Sequence, residues 1–255
     1  MLQSTQELMK AVEDRTGRFV LVEVQPLSGT LLSNSQIARG TDPAHLIRIS
    51  PKVEQDQDYL VTWECLHILR LLDAPPGQRY QLHATATGQR QALELAAKHV
   101  KKHALSIAED SIPAFSRQVY DGLGLQLRSV PTGLRIDAEI TASYPDLHVK
   151  QRNSAIRQLD DNAKVLAPSV TQLIPPKIRR ASVTMNAAFA LFWARTWNDP
   201  TIVVSYRAAG FLADGERLLS IFDQVSNEPS HDKELIEAWR KYLQIDSWYE
   251  LTDLS

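Results

Sequence analysis

Apolar side chains recur along this chain with two periods, and the change from one to the other organises it. Residues 19–24, FVLVEV, are rich in β-branched side chains and predict a strand. Residues 46–49, within HLIRIS, alternate apolar with polar and predict a second strand, stopped by Pro51. The Ser-, Gly- and Asn-containing run 26–40 between them predicts loop, with a further edge strand around residues 30–32. Ahead of the first strand, residues 4–14 predict a short helix capped by Ser4 or Thr5 and ended by Gly17. From residue 56 to 72, Leu60, Val61, Leu66, Ile68, Leu69 and Leu71 follow helical spacing, which Pro75-Pro76 ends.

Beyond that point the pattern is helical. Residues 89–107 place Leu93, Ala96, Ala97, Val100 and Ala104 along one stripe. Residues 113–127, 134–143, 147–166, 178–197, 201–209, 215–225 and 232–243 predict further helices, parted by Pro, Gly, Asn or Asp, and Gly122-Leu123-Gly124 reads as a helix end. The most apolar of them, ASVTMNAAFALFWARTW, predicts a buried central helix whose Ala187, Ala188 and Ala190 permit close packing. Trp239, Tyr242, Trp248 and Tyr249 gather aromatic rings near the end of the chain, either as a binding surface or as a pin for the last helix. No fixed-period repeat is visible. The sum is a mostly helical α+β chain: a region over residues 1–110 with a small sheet and one key helix, then a helical region over 111–255.

Composition narrows the partners. With 255 residues, 44% of them hydrophobic, the chain can bury a sizeable core. A net charge of −2 gives no electrostatic reason for nucleic acid or an anionic membrane as partner. No apolar run of about 18 residues predicts a membrane span. Cys65 is the single cysteine, so no internal disulfide forms. The polar opening MLQSTQELMKAVEDRTG and the lone cysteine predict a cytoplasmic protein.

The chemistry concentrates at Trp63-Glu64-Cys65-Leu66-His67, which is H-E-x-x-H with tryptophan in the first position. In the intact motif two histidines four residues apart leave one helix face and hold Zn²⁺, and the glutamate is general base for a metal-bound water. An indole N–H is a donor only and cannot replace the missing ligand. Cys65 lies about 200° around the helix from His67 and points away from any such metal. His45 and His83 stand open as replacement ligands. His99 and His103 form another i, i+4 pair, but Lys98, Lys101 and Lys102 around it oppose a divalent cation, and a solvated helix face is the reading. There is no P-loop, G-x-S-x-G elbow or strand-linked G-x-G-x-x-G.

Over residues 45–100 the chain resembles the IrrE/ImmA-like zinc metallopeptidases, in which a small sheet is followed by an H-E-x-x-H helix and a later helix supplies an acidic ligand. HLIRIS is similar to the strand before the active helix, TWECLHILRLL to that helix, and QALELAAKHV to the later one. The resemblance implies a zincin-like fold for residues 1–110, Glu64 as general base, and His67 and Glu94 as zinc ligands, with Trp63 in the place of the other. With that ligand lost, the expectation is a packed remnant that binds no cofactor and is not an enzyme, with Glu64 met by a hydrogen bond or by an arginine, Arg70 or Arg79. Relatives of this family are bacterial and phage proteins paired with repressors or stress and toxin–antitoxin systems. The resemblance therefore implies a regulatory or defence role through protein partners. Two alternatives stand beside it: an active zinc peptidase with a non-standard third ligand, and a helical adaptor or assembly subunit unrelated to peptidases.

Overall fold

The computed structural model of the protein describes residues 1–27, 31–103, 105 and 107–254. In chain order the elements are α1 (Gln3–Thr16), β1 (Phe19–Val24), β2 (Ser33–Gln36), β3 (Ala44–Ile49), α2 (Gln57–Asp73), β4 (Tyr80–Ala84), α3 (Ala86–His103), α4 (Ile112–Ser143) and α5 (His148–Ala163). They continue with α6 (Pro168–Leu173), α7 (Pro176–Trp197), α8 (Val204–Ala208), α9 (Leu212–Gln224), α10 (Asp232–Tyr242) and β5 (Tyr249–Asp253). The fold is α+β and mostly helical. Two compact units share the chain: one holds Met1–Pro75 and Arg135–Arg157, the other Pro76–Leu134 and Gln158–Ser255. A division at 110/111 falls inside the second unit.

In the first unit the sheet order is β1-β3-β2, with β1 parallel and β2 antiparallel to β3. The alternation read in β3 holds: His45, Ile47 and Ile49 are buried and the residues between them half-buried. Val20, Ile47 and Ile49 meet Leu60, Val61, Cys65 and Ile68 of α2 in one core that also takes in Ile136, Ile140 and Leu147. Gly17 closes α1 in the left-handed region, φ 68°, where a glycine carries no Cβ penalty. The N-cap differs from expectation. Leu2 holds that position without a side-chain cap, because Ser4 donates instead to Asp146 and Thr5 bonds with Thr62. Part of the expected edge strand, Thr30, lies outside the described residues; the strand there is β2, beginning at Ser33.

In the second unit α7 is buried on nearly every side, from Ala181 to Trp193, as its composition predicts. A Cβ built on Gly215 of α9 would stand 2.8 Å from the Ala187 Cβ, so small residues on both helices set their approach. The expected helices 113–127 and 134–143 are one helix, α4, with Gly122, Gly124 and Pro131 inside it. Proline costs one ladder hydrogen bond, and beside it Ser129 and Thr132 donate to the carbonyls of Leu125 and Arg128. Gly124 marks a close approach rather than a helix end: its absent Cβ would lie 2.7 Å from Cε1 of Tyr249.

The terminal aromatics are a pin. Trp239, Trp248 and Tyr249 are buried, and β5 pairs antiparallel with β4, two strands the pattern did not predict. Tyr249 donates to the Tyr120 carbonyl at 2.6 Å, Tyr120 donates to the Trp248 carbonyl, and the Trp248 indole donates to Gln91 at 2.7 Å. On α3 the buried positions are Gly88, Ala92, Ala96, His99 and Val100; Leu93 and Ala97 are exposed, and Ala104 lies outside the described residues. The stripe is rotated from the expected one because Gly88 sits under the Trp248 backbone, its absent Cβ only 2.5 Å from the Trp248 Cα.

Since that neighbour is backbone and cannot swing away, Gly88→Ala is expected to cost about 1–3 kcal/mol of stability. Gly122→Ala meets nothing within 4 Å and is expected to gain about 0.5–1 kcal/mol as a helix-interior glycine is removed. Thermal denaturation of the two variants side by side checks both signs.

Candidate functional site

The motif helix α2 presents its residues to different surroundings. Ser33 and Ser35 stand directly opposite Ile49 and Ile47 in the β2–β3 ladder, and opposed residues share a face. Both isoleucines are core, so both serines face the α2 side. There they meet Glu64: Ser33 Oγ donates to one carboxylate oxygen and Ser35 Oγ to the other, each at 2.7 Å. Glu64 is 4% exposed. A carboxylate so far from water needs such donors, and two hydroxyls supply one for each oxygen. The sequence predicted a hydrogen bond or an arginine here and did not single out the serines.

One turn apart on the same helix, the rings of Trp63 and His67 stack with centroids 5.7 Å apart and planes 22° from parallel. Both are half-buried. The indole therefore lies along the imidazole where the resemblance would place a second metal ligand. Glu94 is exposed on α3, in the second unit, while Glu64 and His67 belong to the first. Among the described residues no group of three or more His, Cys, Asp or Glu side chains is arranged to hold a metal ion. The residues present do not fit a zinc centre: the indole offers no lone pair and the carboxylate already accepts from two hydroxyls.

The other open ligands have their own occupations. His45 is buried; its Nδ1 accepts the Ala38 backbone N–H at 3.2 Å, so the neutral ring offers its Nε2–H to Thr16 Oγ1, also at 3.2 Å. Burial, and after it the Arg18 charge, lower its pKa. His83 is half-buried on β4. His99 is buried with its Nε2 2.8 Å from the Gln172 carbonyl, and its ring lies 4.6 Å from that of His103. Only His103 of that pair is on a solvated face. Cys65 is fully buried in the core, and burial, with the nearby Glu64 and Glu13 charges, pushes its thiol up to about 12.

A second polar cluster in the first unit was not singled out from the sequence. Asp56, Asp58 and Asp137 are all buried. Asp58 accepts the Leu2 N–H at 2.7 Å and pairs with Lys150 at 3.0 Å; burial raises its pKa, and these partners outweigh that and hold it below the ordinary carboxylate value. Asp56 pairs with Arg157 at 3.1 Å. Asp137 accepts from the Tyr59 hydroxyl at 2.7 Å and from Gln151 at 3.4 Å. Acids at a helix start are common, so QDQDY carries no mark of burial.

No protein-family model, curated protein or solved structure matches this chain. Among the described residues no helix is long and apolar enough to cross a membrane.

Removing one donor to Glu64 by Ser35→Ala is expected to lower the unfolding free energy by about 1–3 kcal/mol, read from urea denaturation. A thiolate is the reacting form, so native protein at pH 8 is expected to resist iodoacetamide and to be labelled at Cys65 only when unfolded, as mass spectrometry would report.

Proposed function

We propose that the first unit is a zincin-like scaffold that has exchanged its metal centre for hydrogen bonds and packing, and that the protein works by contact with other proteins rather than by hydrolysis. The observation that carries this reading is the double engagement of Glu64 by Ser33 and Ser35. In a working peptidase that carboxylate must take a proton from a metal-bound water, and so must be free to reach it. Here both oxygens accept from side chains of the neighbouring strand, in a nearly water-free position. The stacking of Trp63 on His67 supports the same reading, since it sets an apolar ring where a ligand would stand. The implied setting is a bacterial or phage regulatory or defence system in the cytoplasm, with a protein as partner.

Zinc titrated into the purified full chain is expected to bind without stoichiometry, and His67→Ala to leave that result unchanged, as calorimetry and elemental analysis would report. Stoichiometric zinc that vanishes in His67→Ala would overturn the proposal and favour an active peptidase with Glu64 as base and His67 and Glu94 as ligands.

A further inference from the structure

The segment Arg135–Arg157 belongs to the first unit together with Met1–Pro75, and the helix that ends it, α5, has little apolar surface with which to stay there. Of its residues up to Arg157, Gln151, Ser154 and Ala155 are the buried ones, with Leu147 just before them. Val149 and Ile156 are exposed. Its hold is polar instead. Lys150 reaches Asp58 at 3.0 Å and the Gln55 carbonyl at 3.0 Å. Gln151 donates to the Asp137 carbonyl at 2.9 Å and to its side chain at 3.4 Å, and accepts from Thr141 at 3.1 Å. Arg157 reaches Asp56 at 3.1 Å. Positions 150 and 157 fall on one helix face two turns apart, with 151 about 100° around from 150.

Of the acids in this clasp, Asp137 alone has no cation acting on it. Asp56, Asp58 and Asp137 are three buried carboxyl groups, and α5 brings two cations, Lys150 to Asp58 and Arg157 to Asp56. Asp137 has neutral partners only, the Tyr59 hydroxyl and the Gln151 amide. A third buried charge without a cation is costly, and a proton removes that cost. We propose that α5 is fastened by a proton-dependent latch, tightest while Asp137 carries a proton and slackening as the pH rises to neutrality.

The titration of the group agrees with its surroundings. Burial raises the Asp137 carboxyl to about 7, against the smaller opposing effect of the bonds from Tyr59 and Gln151. Tyr59 is itself pushed well above the ordinary tyrosine value, first by burial and then by Asp137, with Asp56 and Glu64 adding to it, so it stays a hydrogen-bond donor across this range. An acid whose pKa is higher closed than open contributes fully below its open-state value, and that contribution is lost as the pH climbs through its closed-state value. The window here runs from about 4, the ordinary aspartate value, to about 7. The other charged groups about the clasp are Asp56 and Glu64, which act on Tyr59, and Asp58 with Lys150 and the Met1 amino group beside it; Arg157 and His148 are on α5, and Arg135 and Glu139 lie two residues either side of Asp137 on α4, about 200° around that helix. His148 is exposed and 2.9 Å from the Thr141 carbonyl, at the start of the same helix, so the test must separate it from Asp137.

Hydrogen exchange on the full chain, expressed as protection against intrinsic exchange at each pH, makes the measurement. In the wild type the opening of α5 amides is expected to increase by up to about tenfold per pH unit between pH 5 and 7, and to level off above pH 8. In Asp137→Asn that rise is expected to disappear, while His148→Gln keeps it. A wild type whose α5 protection does not fall with pH, or an Asp137→Asn variant that retains the fall, overturns the proposal. Should Asp137→Asn fail to fold, the carboxyl ¹³C shift of Asp137 in the wild type decides it. A midpoint near neutrality supports the latch, and one among ordinary aspartates overturns it.

Discussion

A carboxylate taken out of water must be given donors, a cation or a proton, and the first unit depends on how that demand is met four times over. Asp56, Asp58, Glu64 and Asp137 are all buried there. Each uses a different solution: an arginine for Asp56, a lysine and the Leu2 backbone for Asp58, two serine hydroxyls for Glu64, and a tyrosine, a glutamine and a raised pKa for Asp137. Each solution also joins segments far apart in sequence. Glu64 ties α2 to β2, Asp58 ties α1 and α5 to α2, and Asp137 ties α4 to α2 and α5. Buried polar groups of this kind contribute little net energy when satisfied and cost much when not. They therefore act mainly as constraints on which arrangement of the chain is allowed.

The same demand sets the surroundings of the motif's glutamate. A general base works only while a lone pair can reach the proton it removes. Glu64 faces the core side of the sheet because Ser33 and Ser35 hold it there, and those serines face it because the ladder sets them opposite Ile49 and Ile47. The register of one short strand thus decides which donors Glu64 meets.

Much of the architecture was legible from periodicity. β3 showed its alternation, α2 its helical spacing and α7 its unbroken apolar character, and each lies where the pattern put it. What escaped depended on partners remote in sequence. Tyr80–Ala84 carries no strong strand signal, and it becomes a strand because Tyr249–Asp253 lies beside it. Gly124 reads as punctuation until the Tyr249 ring is seen against it, and Gly88 until the Trp248 backbone is. At the candidate site, the motif and its tryptophan were visible as spacing, whereas the hydroxyl partners were not, because serines in a loop-like run look alike whether or not a carboxylate awaits them.

The pairing of β4 with β5 has a consequence for how the chain comes to be made. A strand that begins at Tyr80 waits for one that ends at Asp253, and the rings that cover Tyr120 and the Trp248 backbone that covers Gly88 arrive with that late strand. During synthesis the second unit cannot finish until almost all of its residues have left the ribosome, and the first unit must likewise await Arg135–Arg157. Non-local closure of this sort slows folding and lengthens the time that apolar surface stays uncovered. A nascent chain halted short of Trp248 would hold Tyr120 and the close-approach glycines of α3 and α4 without their cover, a natural substrate for a chaperone.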